Sequence, residues 1–124
     1  MHNNTGRLVP LIWLLLDSQS TVDLISNPMM LLNIRKVRSE DTVHVHCDSG
    51  VKVVDRVGNL TCYRTVWYEP TGIDNILSML RPTNKFRVIF DSESGNVFRM
   101  VLPDRKVKFQ LSPNGLYYFD VADR

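Results

Sequence analysis

Long hydrophobic runs, basic clusters and a cysteine framework are all missing from this 124-residue chain, and each absence removes a class of function. The main apolar stretch, Leu8–Leu16, falls far short of the roughly 20 residues that a membrane-spanning helix needs, so no membrane partner is expected. With Arg7 ahead of it, the stretch has the charge and length of a short signal peptide. Pro10 interrupts it, however, and Asp17-Ser18-Gln19-Ser20 makes a poor small-residue cleavage site. Fifteen Lys and Arg against thirteen Asp and Glu leave a net charge of +2, and the cations are scattered along the sequence. Solvated surface charge explains them, and nucleic acid is not an expected partner.

Cys47 and Cys62 are the two cysteines, and neither sits in a C-x-x-C, so zinc and redox motifs lack support. In an oxidising compartment the pair could bridge, as in a small secreted β-domain. In a reducing compartment both stay thiols. Asn3-Asn4-Thr5 and Asn59-Leu60-Thr61 match the glycosylation triplet, which matters only in a secreted chain. His44 and His46, two apart on a strand, share a face. A metal site wants three or four ligands, and no further His or Cys cluster is offered, so no metal is expected.

Short strands punctuated by turn residues fill the 14.3 kDa chain, a size that suits one domain with a short appendage. Leu11–Leu16 ends abruptly at a polar cluster, as a buried strand entering a loop does. Residues 43–57 read as a hairpin about Asp48-Ser49-Gly50, because Val43, Val45 and Cys47 alternate with His44 and His46. Thr65–Tyr68 is another strand by composition. Ile73–Leu80 reads as one short helix stopped near Pro82. Arg87–Phe90, Val97–Leu102, Val107–Leu111 and Leu116–Val121 are four more strands, separated by turn-forming segments. The expected class is all-β, a barrel or sandwich.

The chemistry points to Trp13–Leu24. There an apolar strand delivers Asp17 into a loop of small hydroxyl residues, after which the chain turns apolar again. Acid proteases need a carboxylate at the end of a rigid buried strand, paired with a second about 3 Å away. The two cannot both ionise, so they share a proton and activate a water. One such loop per chain requires an identical partner across a two-fold axis. Asp48-Ser49-Gly50 spells the acid-protease triplet more literally, but its alternating polar context marks it as a turn.

Five segments in order resemble the protease region of copia-type retrotransposon polyproteins. Leu16-Asp17-Ser18-Gln19-Ser20-Thr21 is similar to that family's Asp-Ser-Gly-Ala-Ser/Thr motif. Val51–Leu60 is similar to its stretch from flap hairpin to a Val/Ile-Gly-x-apolar segment. Val66-Trp67-Tyr68-Glu69-Pro70 through Asn75-Ile76-Leu77-Ser78-Met79 resembles its Val-Leu-Tyr-Val-Pro…Asn-Leu-Leu-Ser-Val signature. Phe86–Asp91 resembles its Tyr-x-Val-x-Phe-Asp segment. Asn114–Asp120 is similar to the Gly-Leu-Tyr-Tyr-Leu stretch near the pre-integrase region.

The resemblance implies a retropepsin-like acid-protease β-barrel with one short helix over residues 8–82, followed by a small β-rich C-terminal extension over 83–124. It implies a homodimer that cleaves a polyprotein, without metal or organic cofactor, inside the cell and in a virus-like particle if the element is active. Asp17 would be the catalytic aspartate. Ser18 would brace the dimer interface, and Ser20 or Thr21 would orient the carboxylate. Residues 46–53, with Asp48, Ser49 and Gly50 at the tip, would form the flap. Asn75–Ser78 would be a return strand under the active-site loop, with Ser78 where retropepsins more often have Gly. Gln19 replaces the motif's Gly, a residue that permits close backbone approach. The alternative is therefore a catalytically inactive dimerisation or peptide-binding module.

Overall fold

A computed structural model describes residues 9–17, 20–47, 50–79, 86–93 and 95–122. Among the described residues twelve strands follow in chain order: β1 (Trp13–Asp17), β2 (Leu24–Ile25), β3 (Leu31–Lys36), β4 (Val43–Cys47), β5 (Gly50–Val54) and β6 (Arg56–Leu60). The remainder are β7 (Arg64–Tyr68), β8 (Asn75–Ser78), β9 (Arg87–Asp91), β10 (Val97–Val101), β11 (Lys106–Leu111) and β12 (Tyr117–Asp120). Ten of them make one sheet in the order β3-β6-β7-β2-β8-β1-β12-β11-β10-β9, and β4 and β5 form a separate two-stranded sheet.

The all-β class holds, but the sheet is open rather than a closed barrel, with β3 and β9 at its two edges. Strand β3 is built as an edge. Beyond Leu31 its residues are exposed, its register with β6 slips between Leu32 and Arg35, and Asn33 takes a φ of 55°. Irregularity and charge of this kind stop an edge from recruiting another strand.

The short helix expected at Ile73–Leu80 is instead strand β8. Continuous apolar runs of this length do not distinguish strand from helix. Here the segment threads between β1 and β2, and Asn75, Leu77 and Ser78 are all buried. The helical elements among the described residues are two 3-10 turns, Pro28–Met30 and Ser39–Asp41. The first is capped by Asn27, whose side chain accepts from the Met29 N–H. Among the described residues no helix is long and apolar enough to cross a membrane.

The hairpin expected at 43–57 is present over 43–54 as β4 and β5, paired from Val43↔Val54 to Cys47↔Gly50, while Arg56 and Val57 begin β6, which pairs with β3 and β7. Gly50 opens β5 at φ +121°, a conformation that suits glycine. Strand β6 departs from simple alternation because Gly58 is packed flat. A Cβ there would come within 2.9 Å of Leu31 Cδ1.

Alternation along the central strands makes the core. Leu14 and Leu16 of β1 lie beside Phe119 and Tyr117 of β12, and Leu16 beside Leu77 of β8. Ile25, Val66, Met100, Val107 and Phe109 join the same cluster. Each such side chain stabilises the fold by about 1.5–3 kcal/mol through removal from water.

Candidate active site

The polar site is assembled where β8 runs between β1 and β2. The chain leaves along β1 and returns along β2, and β8 pairs with both, parallel to β1 and antiparallel to β2. Asp17 is the last residue of β1 and lies opposite Ser78. The next backbone step is closed by the Met79 N–H, which donates to the Asp17 carbonyl at 3.0 Å.

The far side of the loop is held by a carboxylate that the sequence did not single out. Asp23 is buried, and its Oδ1 accepts from the Ser78 N–H at 2.8 Å while Oδ2 accepts from the Tyr63 hydroxyl at 3.1 Å. Its carbonyl accepts from the Trp67 N–H. Ser78 returns the tie, since its hydroxyl donates to the Ser20 carbonyl at 2.6 Å. The Ser20 hydroxyl donates to the Val22 carbonyl at 2.7 Å, and Thr21 is exposed. Both ends of the loop are thus fixed to β8. Ser18 and Gln19 lie outside the described residues.

Asn75 fixes the opposite end of the same three strands. It is fully buried, and its Oδ1 accepts from the Ser26 and Asn27 N–H groups at 2.9 and 2.8 Å. Its Nδ2 donates to the Leu11 and Trp13 carbonyls at 2.6 and 3.2 Å. One amide thereby meets all the bonds it can make, and it knits the start of β1 to the end of β2. Asn75 belongs to the resemblance, but Asp23 carries only a weak signal, an acid directly ahead of an apolar pair.

Two clefts lie on these strands, and Asp17 lines the first of them. One, of about 540 Å³, is walled by Leu16, Met79 and the C-terminal residues Phe90, Phe98 and Tyr117 as well as Asp17. The other, of about 380 Å³, lies under the hairpin, with Val45, Lys52 and Val54 above and Leu24, Ile73 and Ile76 below. Register relates the second cleft to Asp17. Ser78 pairs with Asp17 and Ile76 pairs with Leu24, and residues two apart on β8 share a face. Asp17 therefore projects on the same sheet face as Ile76, which floors the hairpin cleft, and sits about 7 Å further along the strands than Leu15, the β1 partner of Ile76. The hairpin is latched at the other wall, where Lys52 Nζ donates to Thr71 Oγ1 at 3.1 Å.

Of the three residues expected at a flap tip, Gly50 is described, while Asp48 and Ser49 lie outside the described residues. His44 and His46 are exposed on the outer face of β4, and no group of three metal-ligating side chains occurs among the described residues. The Cys62 thiol is free and exposed, and a hydrogen bond with the Asp104 side chain raises its pKa above the ordinary thiol value. Comparisons with protein-family models, curated proteins and solved structures find no match for this chain.

Proposed function

We propose that this chain is a retropepsin-like aspartic endopeptidase domain that cuts peptide bonds of a polyprotein like those of the copia-type elements it resembles. The observation that carries the reading is the placement of Asp17. It ends a buried strand, its loop is clamped on both sides by β8, and its sheet face floors a cleft roofed by a hairpin. An extended peptide fits such a cleft, with apolar side chains against Leu24 and Ile76.

The second carboxylate comes from Asp17 of a second copy. Asp23, the other acid of the loop, is engaged with the Ser78 N–H and the Tyr63 hydroxyl and serves to position the loop. Two facing aspartates hold one proton between them. The ionised one takes a proton from water as it attacks the scissile carbonyl, and the protonated one gives its proton to the carbonyl oxygen. Collapse of the tetrahedral diol then transfers a proton to the leaving amine.

The test compares the wild-type chain with Asp17→Asn on a peptide library from acid to neutral pH. Wild type cuts and the variant loses about 10²-fold or more of that rate. Undiminished cleavage by Asp17→Asn sinks the mechanism. A folded, dimeric wild type that cuts nothing leaves a peptide-binding module instead.

A further inference from the structure

Four cations that are far apart in the sequence meet on one face of the C-terminal strands. Across β9, β10 and β11 the register sets Arg87 beside Val101 and Val101 beside Lys106. One step along the strands it sets Ile89 beside Arg99 and Arg99 beside Lys108. Paired residues share a face, so Arg87, Arg99, Lys106 and Lys108 project together. The opposite face carries Val88, Phe98, Met100, Val107 and Phe109 into the core.

Four cations on this face outnumber the two acids, Asp91 and Asp120, that register places on it. Arg87, Lys106 and Lys108 are exposed, and none of them is in an ion pair among the described residues. Arg99 is the exception, bonded to Asp91 at 3.0 Å. Of the other acids nearby, Asp120 shares this face two residues from Tyr118 and keeps its charge while accepting from the Ala122 N–H, and Asp104 lies in the turn between β10 and β11, so the excess of positive charge is carried by Arg87, Lys106 and Lys108.

The same face runs on to a pair of aromatic rings. Gln110, two residues beyond Lys108, pairs with Tyr118, and the Tyr118 ring stacks on Trp13 at 3.8 Å between centroids. Both residues are half-buried, which leaves ring surface at the margin of the cationic rows.

We propose that this face binds a single-stranded nucleic acid, with phosphates against Arg87, Lys106 and Lys108 and an unpaired base against the Trp13–Tyr118 stack. Cations at steps of about 7 Å along β11 and about 5 Å between strands suit a polyanion. The aromatic pair favours nucleic acid over an acidic peptide, because bases stack on rings and carboxylates do not. Register puts Trp13 and Tyr118 on the same sheet face as Asp17, since Leu15 pairs with Tyr118, but the proposal does not rest on whether Asp17 is catalytic.

The experiment measures anisotropy of labelled oligouridylate and oligothymidylate with the full chain over a range of salt, separating ribose from deoxyribose strands. Saturable binding that weakens with salt is expected. Lys106→Gln/Lys108→Gln should reduce affinity about tenfold or more and flatten the log–log salt slope by about 1.4, two phosphate contacts at about 0.7 each. Lys36→Gln on the remote edge strand should change neither, and thermal melts verify that all variants are folded. Absence of saturable binding by the wild-type chain overturns the proposal, as does a double variant that binds like wild type. Competition by poly-glutamate equal to that by unlabelled oligonucleotide also overturns it, by assigning the face to an acidic protein segment.

Discussion

Two regions of one sheet are held together in different ways. Around the Asp17 loop, strands distant in sequence are tied by buried polar groups, with Asp23, Ser78 and Asn75 bonding across separations of 40 to 64 residues. From β9 to β12, each strand pairs with the next in sequence, and apolar side chains on one face supply the adhesion. The first arrangement fixes both ends of a loop. The second tolerates variation on its outer face, which leaves that face available for charge.

The contrast can be broken most severely at Asn75. Asn75→Ala strands two buried N–H groups and the Trp13 carbonyl, while the Leu11 carbonyl keeps the Asn27 Nδ2 donor, and losses of about 1–3 kcal/mol for each unpaired group take most of what a small domain has. The variant should be largely unfolded by urea titration followed by circular dichroism. A loss below about 2 kcal/mol would show that water replaces the amide and that the polar tie is not decisive.

Met100→Ala probes the other region. Met100 is 1% exposed, and its truncation should cost about 2–5 kcal/mol while leaving a folded chain. Because the damage is to packing rather than to the loop, any peptide cleavage per folded molecule should persist. A fall in cleavage out of proportion to the folded fraction would mean that the C-terminal strands set the geometry at Asp17.

The smallest effect lies at the seam. Cys62 belongs to the turn between β6 and β7, and Asp104 to the turn between β10 and β11, so their contact joins the two regions. The carboxylate keeps the proton on the thiol, so the thiolate fraction at a given pH is lower than for an ordinary cysteine. Asp104→Asn removes that effect, and alkylation of Cys62 by iodoacetamide at mildly alkaline pH should speed up severalfold. Unchanged alkylation would show that the two turns do not hold each other.

The second region was far more legible in sequence than the first. Its four strands are separated by Gly-, Pro-, Asn- and Asp-bearing turns, and local pairing needs no more than that. Strand β8 was read as a helix because Ile73–Leu80 is a short apolar run, and its strand state depends on β1 and β2, more than 40 residues earlier. Strands β3 and β6 were obscured by Asn33, Gly58 and the slipped register between them. Asp17 was visible because a charge after Leu14-Leu15-Leu16 stands out. Asp23 and the four C-terminal cations were not, since each acquires its role only from neighbours that register supplies.

The placement of β1 also bears on how the chain emerges from the ribosome. Its five residues have β8 and β12 as hydrogen-bonding neighbours, which follow about 60 and about 100 residues later. At about 5–20 residues per second, Leu14, Leu15 and Leu16 wait several seconds or more without either partner. A nascent chain in that interval carries a bare apolar strand, and its yield in the cell will depend on what shields those three leucines until β12 is translated.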